Sequence, residues 1–316
     1  EVGDRRVVTN ERRRGSLTPR LASPRPPPCR AGAGAAGAVL RCPRGERPGS
    51  PGDAEEQTAV STRVGIVTGA GQGIGRATAV RLAADGLHVV CVDRVEEAAQ
   101  RTASTIRDAG QEATGCAADV AKDQDCLEAV ELAAALGEVV VLCNIAGISP
   151  FSSGIAQVSE ELWDRVLAVN VKSVFLMSRA CRPHLVSVGE GAVIVNMASV
   201  HAFAALPESA PYAASKGAIV ALTRQMAVDL APAGVRVVAV APGAVDTPSS
   251  YTGTKGVGAD SQELALVKDR HHLGWLAEPS DVAEAVAWLA SPQARFVNGS
   301  TLVVDGGMLA QLPRHG

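Results

Sequence analysis

The chain has 316 residues, of which 47% are hydrophobic, and a formal net charge of -3 at pH 7. This hydrophobic share predicts a globular protein with a substantial buried core. Aromatic residues are scarce (3 Trp, 2 Tyr and 4 Phe), so the core must consist mainly of Ala, Val, Leu and Ile, which favours an α/β protein over a β-sandwich. Acidic residues outnumber basic ones beyond residue 57, so we expect no nucleic-acid partner.

Two further features concern the environment of the protein. The seven cysteines include no Cys-x-x-Cys pair, and Cys91, Cys116 and Cys143 lie in apolar runs, which indicates a reducing compartment and a cytoplasmic location. The longest apolar runs, such as residues 139–148, reach about half of the ~18 to 20 residues that a membrane-spanning helix requires. The sequence therefore predicts no association with a membrane.

Residues 1–57 differ in composition from the rest of the chain. They hold eight of the 18 prolines, many arginines and no aromatic residue. Such a segment cannot bury enough apolar area to offset the entropy lost on ordering it. We predict a disordered or non-native N-terminal extension over residues 1–57, with a transit peptide as the alternative, and one domain over residues 58–316.

From residue 63 onward, short β-branched runs alternate with longer Ala-rich segments of helical periodicity. The predicted strands are Val64–Thr68, His88–Asp93, Ala113–Ala117, Val139–Cys143, Ala192–Met197, Val235–Ala241 and Thr301–Val304. The predicted helices are Ile74–Ala84, Glu96–Ala109, Gln124–Leu136, Glu160–Pro183, Ala210–Leu230 and Ser280–Ala290. This alternation predicts an α/β fold, a single doubly wound Rossmann domain with helices on both faces of a seven-stranded parallel sheet.

A glycine-rich turn, Thr-Gly-Ala-Gly-Gln-Gly-Ile-Gly at positions 68–75, follows the first predicted strand. Glycines at a strand-to-helix turn let the backbone approach a pyrophosphate, which the N–H groups and partial positive charge of the helix N-terminus bind. A tight turn without a ligand is the alternative. The candidate cofactor-binding residues of this turn are Gly69, Gly71, Gln72, Gly73 and Ile74.

An acidic residue about twenty positions further on favours the cofactor interpretation. The second predicted strand ends at Asp93, whose carboxylate can accept hydrogen bonds from the ribose hydroxyls of adenosine. A 2′-phosphate would meet like charge there, so we expect NAD as the cofactor, with NADP less favoured. Arg94, a further candidate for cofactor binding, leaves NADP open.

Three residues later in the chain suggest acid–base chemistry. Tyr212 and Lys216 lie one turn apart on one face of a predicted helix, and Ser199 follows a predicted strand at the edge where open α/β sheets bind ligands. Lys216 is expected to lower the pKa of the Tyr212 phenol from about 10 and to bind ribose hydroxyls, while Ser199 can hold a substrate oxygen. Taken alone, Tyr212 and Lys216 would be interpreted as a solvated pair and Ser199 as a helix cap. Because they follow the glycine turn and Asp93 in this order, they predict hydride transfer.

The order and spacing of these motifs over residues 62–309 resemble the short-chain dehydrogenase/reductase family. The resemblance implies that Asn170 joins Ser199, Tyr212 and Lys216 as a catalytic residue by holding a water beside the lysine. It departs from the family at Ile145, where relatives carry asparagine, and at Ala198, where they often carry serine. It also implies further cofactor-binding positions, namely Asp119, Val120, Asn144, Ala146, Gly147, Tyr212, Lys216, Pro242, Gly243, Val245 and Thr247.

The substrate is predicted to be a small-molecule secondary alcohol or ketone. The family resemblance implies sugars, steroids, acyl-carrier-bound ketones or small secondary alcohols, and the sequence does not choose among them. We expect a lid over about 248–274, and residues that touch the substrate to include His201, Phe203, Tyr251 and Trp275. The adjacent His271 and His272 are interpreted as solvent-facing helix residues, because no third metal ligand is suggested by the spacing, and no metal is expected.

Three functions remain open on the sequence alone. Hydride transfer between NAD and a secondary alcohol or ketone is favoured. A catalytically silent NAD-binding sensor would be expected to lose the tyrosine or the lysine, and a dehydratase or epimerase would need a longer insertion after the sixth strand. The family resemblance implies a homo-oligomer, a tetramer or dimer, joined through the helices that begin near Glu160 and Ala210.

Overall fold

The computed structural model describes residues 61–150, 154–247 and 271–310. The strands are β1 Arg63–Thr68, β2 His88–Asp93, β3 Ala113–Ala117, β4 Glu138–Asn144, β5 Val193–Met197, β6 Arg236–Pro242 and β7 Thr301–Val304. The helices are α1 Gly73–Ala84, α2 Glu96–Asp108, α3 Asp123–Leu136, α4 Glu160–Leu167, α5 Ser173–Val188, α6 Ala210–Leu230 and α7 Pro279–Ala290. The predicted extension over 1–57, Tyr251 and most of the predicted lid lie outside the described residues.

The seven strands form one sheet in the order β3-β2-β1-β4-β5-β6-β7, and every pairing is parallel. The central strands are buried on both faces, as Val89–Val92 and all seven residues of β6 show. Continuous apolar strands of this kind belong to parallel sheets covered by helices on both sides. The α/β Rossmann fold predicted from the sequence is confirmed.

The predicted helix Glu160–Pro183 is wrong in two respects. It is interrupted by a π-helical turn, Ala168–Lys172, that separates α4 from α5, and α5 continues past Pro183 to Val188. Proline removes one backbone hydrogen bond, but burial of apolar residues along α5, including Leu185, compensates for that loss. The π-turn places Asn170 in the protein interior, where it is fully buried.

Among the helices of the described residues, none combines the length and the apolar character needed to cross a bilayer.

Candidate active site

The glycine turn is shaped by close backbone contacts. Gly69 has a φ of +67°, and a Cβ on this residue would lie 2.9 Å from the Ala146 Cα at the end of β4. A Cβ on Gly75 would lie 2.0 Å from the Gly69 carbonyl oxygen. Gln72 precedes α1 in an extended conformation without capping it through its side chain, so the N–H groups of the first helical turn remain available to a ligand.

Asp93 is tied to this turn. Its Oδ2 accepts a hydrogen bond from the Gly71 N–H at 2.9 Å, and its Oδ1 accepts one from the Val95 N–H at 3.0 Å. A Cβ on Gly71 would lie 2.7 Å from Asp93 Oδ2, so only glycine lets the turn pack this closely against the carboxylate. Arg94 is exposed at the same edge of the sheet. These contacts bring the glycine turn and the predicted ribose-binding residue together.

The next strand end places two further predicted residues at this edge. Asp119 follows β3, its Oδ1 accepts from the Ala121 N–H at 3.1 Å, and its own N–H donates to Asp125 Oδ2 at 2.9 Å. Val120 is buried beside it. Asp119 therefore shapes the loop that follows β3.

The end of β4 is fastened to β1 through Thr68, a residue that the motif analysis did not single out. Its hydroxyl donates to the Cys143 carbonyl at 3.3 Å and accepts from the N–H groups of Ile145 at 3.0 Å and Ala146 at 3.1 Å. All the hydrogen-bonding capacity of the hydroxyl is therefore used. Ala146 is thereby held next to the glycine turn, and Gly147 follows it toward Asn170 and Lys216.

Asn144 does not project toward this edge. Its Nδ2 donates to Asn196 Oδ1 at 2.9 Å and to Ser178 Oγ at 3.3 Å, and Asn196 in turn donates to Thr223 Oγ1 at 3.0 Å. These polar groups are buried between β4, β5, α5 and α6. The Asn144 side chain thus serves a buried network, and the signal that the motif analysis missed is the polar Asn196 within an otherwise apolar strand.

Asn170 links the loop after β4 to α6. Its Oδ1 accepts from the Ile148 N–H at 2.8 Å, and its Nδ2 donates to the Ile148 carbonyl at 2.9 Å and to Ser215 Oγ at 3.0 Å. A Cβ on Gly147 would lie 3.3 Å from Asn170 Oδ1 and 3.7 Å from Lys216 Nζ. Asn170 is therefore beside the lysine, and Ser215 joins the set as a residue not predicted from the sequence.

Ser199, Tyr212 and Lys216 meet at the carboxyl end of β5. The Ser199 hydroxyl lies beside the Tyr212 phenol and accepts a hydrogen bond from the His201 N–H at 3.2 Å. The Lys216 Nζ is 5.4 Å from the centroid of the Tyr212 ring and donates to the Met197 carbonyl at 2.8 Å. The His201 ring packs edge-on against Tyr212, with 5.2 Å between ring centroids.

The electrostatics differ from the expectation that Lys216 lowers the pKa of Tyr212. Burial raises the pKa of the phenol, and the hydrogen bond with Ser199 opposes only part of that rise. Burial also lowers the pKa of Lys216 to about 8, and burial together with the Lys216 charge lowers the pKa of His201. The Lys216 ammonium lies over the Tyr212 ring and donates to the Met197 carbonyl, so desolvation has the largest effect on the pKa of the phenol.

Replacing Lys216 with methionine is expected to stabilise the fold at pH 7 by about 1 to 3 kcal/mol, because an ammonium whose pKa is lowered to about 8 opposes folding. The orphaned Met197 carbonyl limits the gain. The folded protein releases this proton near pH 8 and the unfolded chain near pH 10.5, so the stability of the wild type rises over that interval and the advantage of the variant declines. Urea unfolding at pH 7 and pH 10 measures the difference.

The exposed Lys122 provides the control, since methionine at that position leaves the buried ammonium in place. A Lys216→Met protein that is no more stable than wild type at pH 7, with the same dependence on pH, contradicts a destabilising buried charge.

The loop after β6 lies opposite the glycine turn. The Gly243 N–H donates to the Val304 carbonyl at 2.9 Å, and the Asp246 N–H donates to the Ala277 carbonyl at 2.8 Å. A Cβ on Gly73 would lie 3.2 Å from Thr247 Cγ2, so the loop touches the glycine turn. The predicted residues Pro242, Gly243, Val245 and Thr247 therefore share the edge of the sheet with Gly69, Gly71 and Gly73.

The interpretation of His271 and His272 as solvent-facing helix residues is wrong about the helix for both and about solvent exposure for His271. Neither residue is helical, and His271 is 3% exposed, with its Nε2 accepting a hydrogen bond from the Ala244 N–H at 3.0 Å. The chain turns back here against the loop after β6, which buries the first imidazole and leaves the second exposed. Across the described ranges, no cluster of three or more His, Cys, Asp or Glu side chains could hold a metal ion.

The other predicted substrate-contacting residues lie at different depths. His201 is beside Tyr212, whereas Phe203 and Trp275 are 52% and 59% exposed. The structure thus brings His201 next to Ser199, Tyr212 and Lys216, which together form the Ser199 cluster.

Known proteins resemble this chain over most of its length. Residues 69–309 match the model of a family described as enoyl-(acyl carrier protein) reductase. Dehydrogenase/reductase SDR family member 4 of Sus scrofa is 36% identical over 259 residues, 82% of this chain and 91% of that protein. A 3beta-hydroxysteroid dehydrogenase 1 of Eggerthella lenta is 40% identical over 246 residues, 77% of this chain and 92% of that protein.

Solved structures also resemble this chain in fold and in sequence. A 3-ketoacyl-(acyl-carrier-protein) reductase from Brucella melitensis, complexed with NADH, has a TM-score of 0.71 and 41% identity over 78% of this chain and 98% of that one. A variant of an actinorhodin polyketide ketoreductase with NADPH has a TM-score of 0.73 and 34% identity over 78% of this chain and 97% of that one. The family match, the sequence identities and the shared fold show that the chain belongs to the short-chain dehydrogenase/reductase family of NAD(P)-dependent oxidoreductases.

Proposed function

We propose that the protein transfers a hydride between NAD and a secondary alcohol or ketone, with Ser199, Tyr212 and Lys216 handling the proton. The observation that carries this proposal is the grouping of these three side chains at the carboxyl end of β5, on the same sheet edge as the glycine turn. A catalytically silent sensor has no need of a buried ammonium beside a phenol.

The residues present fit a dinucleotide. The glycine turn and the uncapped start of α1 would hold the pyrophosphate. Asp93 would accept hydrogen bonds from the adenosine ribose hydroxyls, and the 242–247 loop would hold the nicotinamide end. When bound, the oxidised nicotinamide supplies the hydride acceptor. Lys216 donates one of its three N–H groups to the Met197 carbonyl, and the other two would be available to the nicotinamide ribose.

The proton follows a separate route from the hydride. Ser199 holds the hydroxyl of the substrate, and Tyr212 as tyrosinate accepts the hydroxyl proton as the carbinol carbon loses its hydride, so that the alcohol is oxidised to a ketone. Burial raises the pKa of Tyr212, so the tyrosinate needs the positive charges of Lys216 and of the oxidised nicotinamide. Asn170 fixes the loop at Ile148 and lies beside Lys216. A water at this position would carry the proton from Lys216 to solvent.

We propose NAD as the preferred cofactor because Asp93 repels a 2′-phosphate. Replacing Asp93 with alanine is expected to lower kcat/KM for NAD and to raise it for NADP, shifting the ratio by roughly tenfold or more, as expected for the removal of a like-charge contact. Glu112 is an exposed carboxylate distant from the glycine turn, so Glu112→Ala should leave the ratio unchanged in the same assay. A wild type that prefers NADP contradicts this assignment.

The assay for hydride transfer is absorbance at 340 nm with NAD or NADP and a panel of secondary alcohols, sugars and hydroxysteroids. Reduction of NAD with one class of alcohol supports the proposal and identifies the substrate class. If the protein binds either cofactor tightly but reduces neither with any alcohol, and oxidises neither reduced cofactor with the matching ketones, the sensor function replaces it.

We further propose a homo-oligomer, a tetramer or dimer, in the cytoplasm. Phe175 on α5 is 47% exposed and Val228 on α6 is 71% exposed, which gives the long helices apolar surface to pair with a second copy. The five cysteines of the described ranges are free thiols, as a reducing compartment requires.

A further inference from the structure

His271 is a buried imidazole that the chemistry proposed above does not use. It comes directly before the exposed His272 and is 3% exposed. Its Nε2 accepts a hydrogen bond from the Ala244 N–H at 3.0 Å. Ala244 lies in the middle of the loop after β6, next to Val245.

The imidazole is enclosed by two backbone segments. A Cβ on Gly243 would lie 2.8 Å from His271 Nε2, and a Cβ on Gly306 would lie 3.4 Å from His271 Cβ. The Leu273 N–H donates to the Gly306 carbonyl at 3.2 Å. The side chain of Asp305 accepts from the N–H groups that follow it, those of Gly307 at 2.9 Å and Leu309 at 2.8 Å. The ring therefore lies between the loop after β6 and a firmly bonded turn after β7.

We propose that His271 is a positioning residue for the nicotinamide end of the cofactor. Its Nε2 fixes the orientation of the Ala244 peptide, and through it the backbone of Val245 and the side chain of Thr247. This inference rests on the proposed function, in which the 242–247 loop binds the nicotinamide. Without the acceptor, the Ala244 N–H is left in a largely enclosed position and the peptide turns toward another partner.

The hydrogen bond also sets the chemical requirement at position 271. The donor is a backbone N–H, so Nε2 is unprotonated and acts only as an acceptor. A glutamine side chain can place its amide oxygen near the position of Nε2, whereas the shorter asparagine side chain reaches only about as far as Nδ1. Leucine fills a similar volume without any acceptor.

The test compares His271→Gln, His271→Asn and His271→Leu with the exposed control His272→Leu. NADH fluorescence titration without substrate gives Kd, steady-state kinetics give KM for NAD separately from kcat, and thermal unfolding gives Tm. We expect roughly tenfold weaker NADH binding and a higher KM for the Asn and Leu variants, as for the loss of one buried hydrogen bond, with kcat within about twofold. Gln and the control should remain within about threefold of wild-type Kd.

Three outcomes overturn the inference. Asn and Leu variants that bind NADH as tightly as wild type show that the acceptor does not position the loop. A Gln variant that binds as weakly as Asn at an unchanged Tm shows that the acceptor is not the relevant property. If the Leu variant does not fold, the Gln and Asn comparison decides. If the wild type binds neither NADH nor NADPH, the proposed function is overturned together with the role of His271. If the wild type binds NADH normally, a negative result for the variants overturns only the role of His271.

Discussion

Replacing Tyr212 with phenylalanine is expected to lower kcat/KM for the alcohol by about 10²- to 10⁴-fold, the contribution of a positioned acid–base group. The variant keeps the ring that packs against His201 and lies beneath Lys216, and removes only the oxygen that accepts the proton. NADH affinity should therefore remain within about threefold of wild type, because the ribose contacts assigned to Lys216 are retained. Stopped-flow or steady-state absorbance at 340 nm measures the loss.

Ser209→Ala is the matched control, since it removes a buried hydroxyl at the start of the same helix, where the hydroxyl donates to the Pro207 carbonyl. It should change kcat little. A Tyr212→Phe protein that binds NADH normally and retains more than about a tenth of wild-type activity would exclude Tyr212 as the proton acceptor.

The second large effect is expected at Gly75, where alanine should destabilise the fold by roughly 3 kcal/mol and weaken NADH binding at least tenfold. A Cβ at this position would lie 2.0 Å from the Gly69 oxygen and 2.6 Å from its carbonyl carbon. Both are backbone atoms, so no side-chain rotation relieves the contact and the turn itself has to move. Because that turn also bonds to Asp93 through Gly71, a shift of the turn also disturbs the proposed binding residues for the pyrophosphate and the ribose.

Gly217→Ala provides the control in another helix. A Cβ there would meet no atom within 4 Å, so alanine is expected to be neutral or to stabilise α6 by about 0.5 to 1 kcal/mol. Urea unfolding and NADH titration of both variants make the comparison. A Gly75→Ala protein as stable as wild type, with unchanged NADH affinity, contradicts the close approach of α1 to the turn.

The sequence was sufficient for the sheet and the site motifs because both depend on local signals. Strands such as β4 and β6 contain uninterrupted apolar runs, and the glycine turn binds a pyrophosphate only at a strand-to-helix junction. The placement of Ser199 at a strand end and of Tyr212 and Lys216 one turn apart follows from periodicity alone. Parallel strands then bring their carboxyl ends to one edge.

The features that could not be predicted depend on contacts between distant segments. Periodicity gave no sign of the π-turn that buries Asn170, because one inserted residue leaves the local composition unchanged. The burial of His271 arises from packing between two loops, and the shifts in the pKa of Tyr212 and Lys216 arise from the depth at which they lie. The spacing of residues along the sequence does not show how deeply a side chain is buried.

The pairing of β1 with β4 has a consequence for the order in which the protein folds. Each of the other five pairings joins strands that are consecutive in the chain, whereas Thr68 of β1 hydrogen-bonds to Cys143 of β4, 75 residues away. Closing that loop carries the larger entropy cost, so the β1-β2-β3 unit can form before β4 docks. The glycine turn and Asp93 are thus built early, and the Ser199 cluster joins them only when the second half of the sheet has assembled.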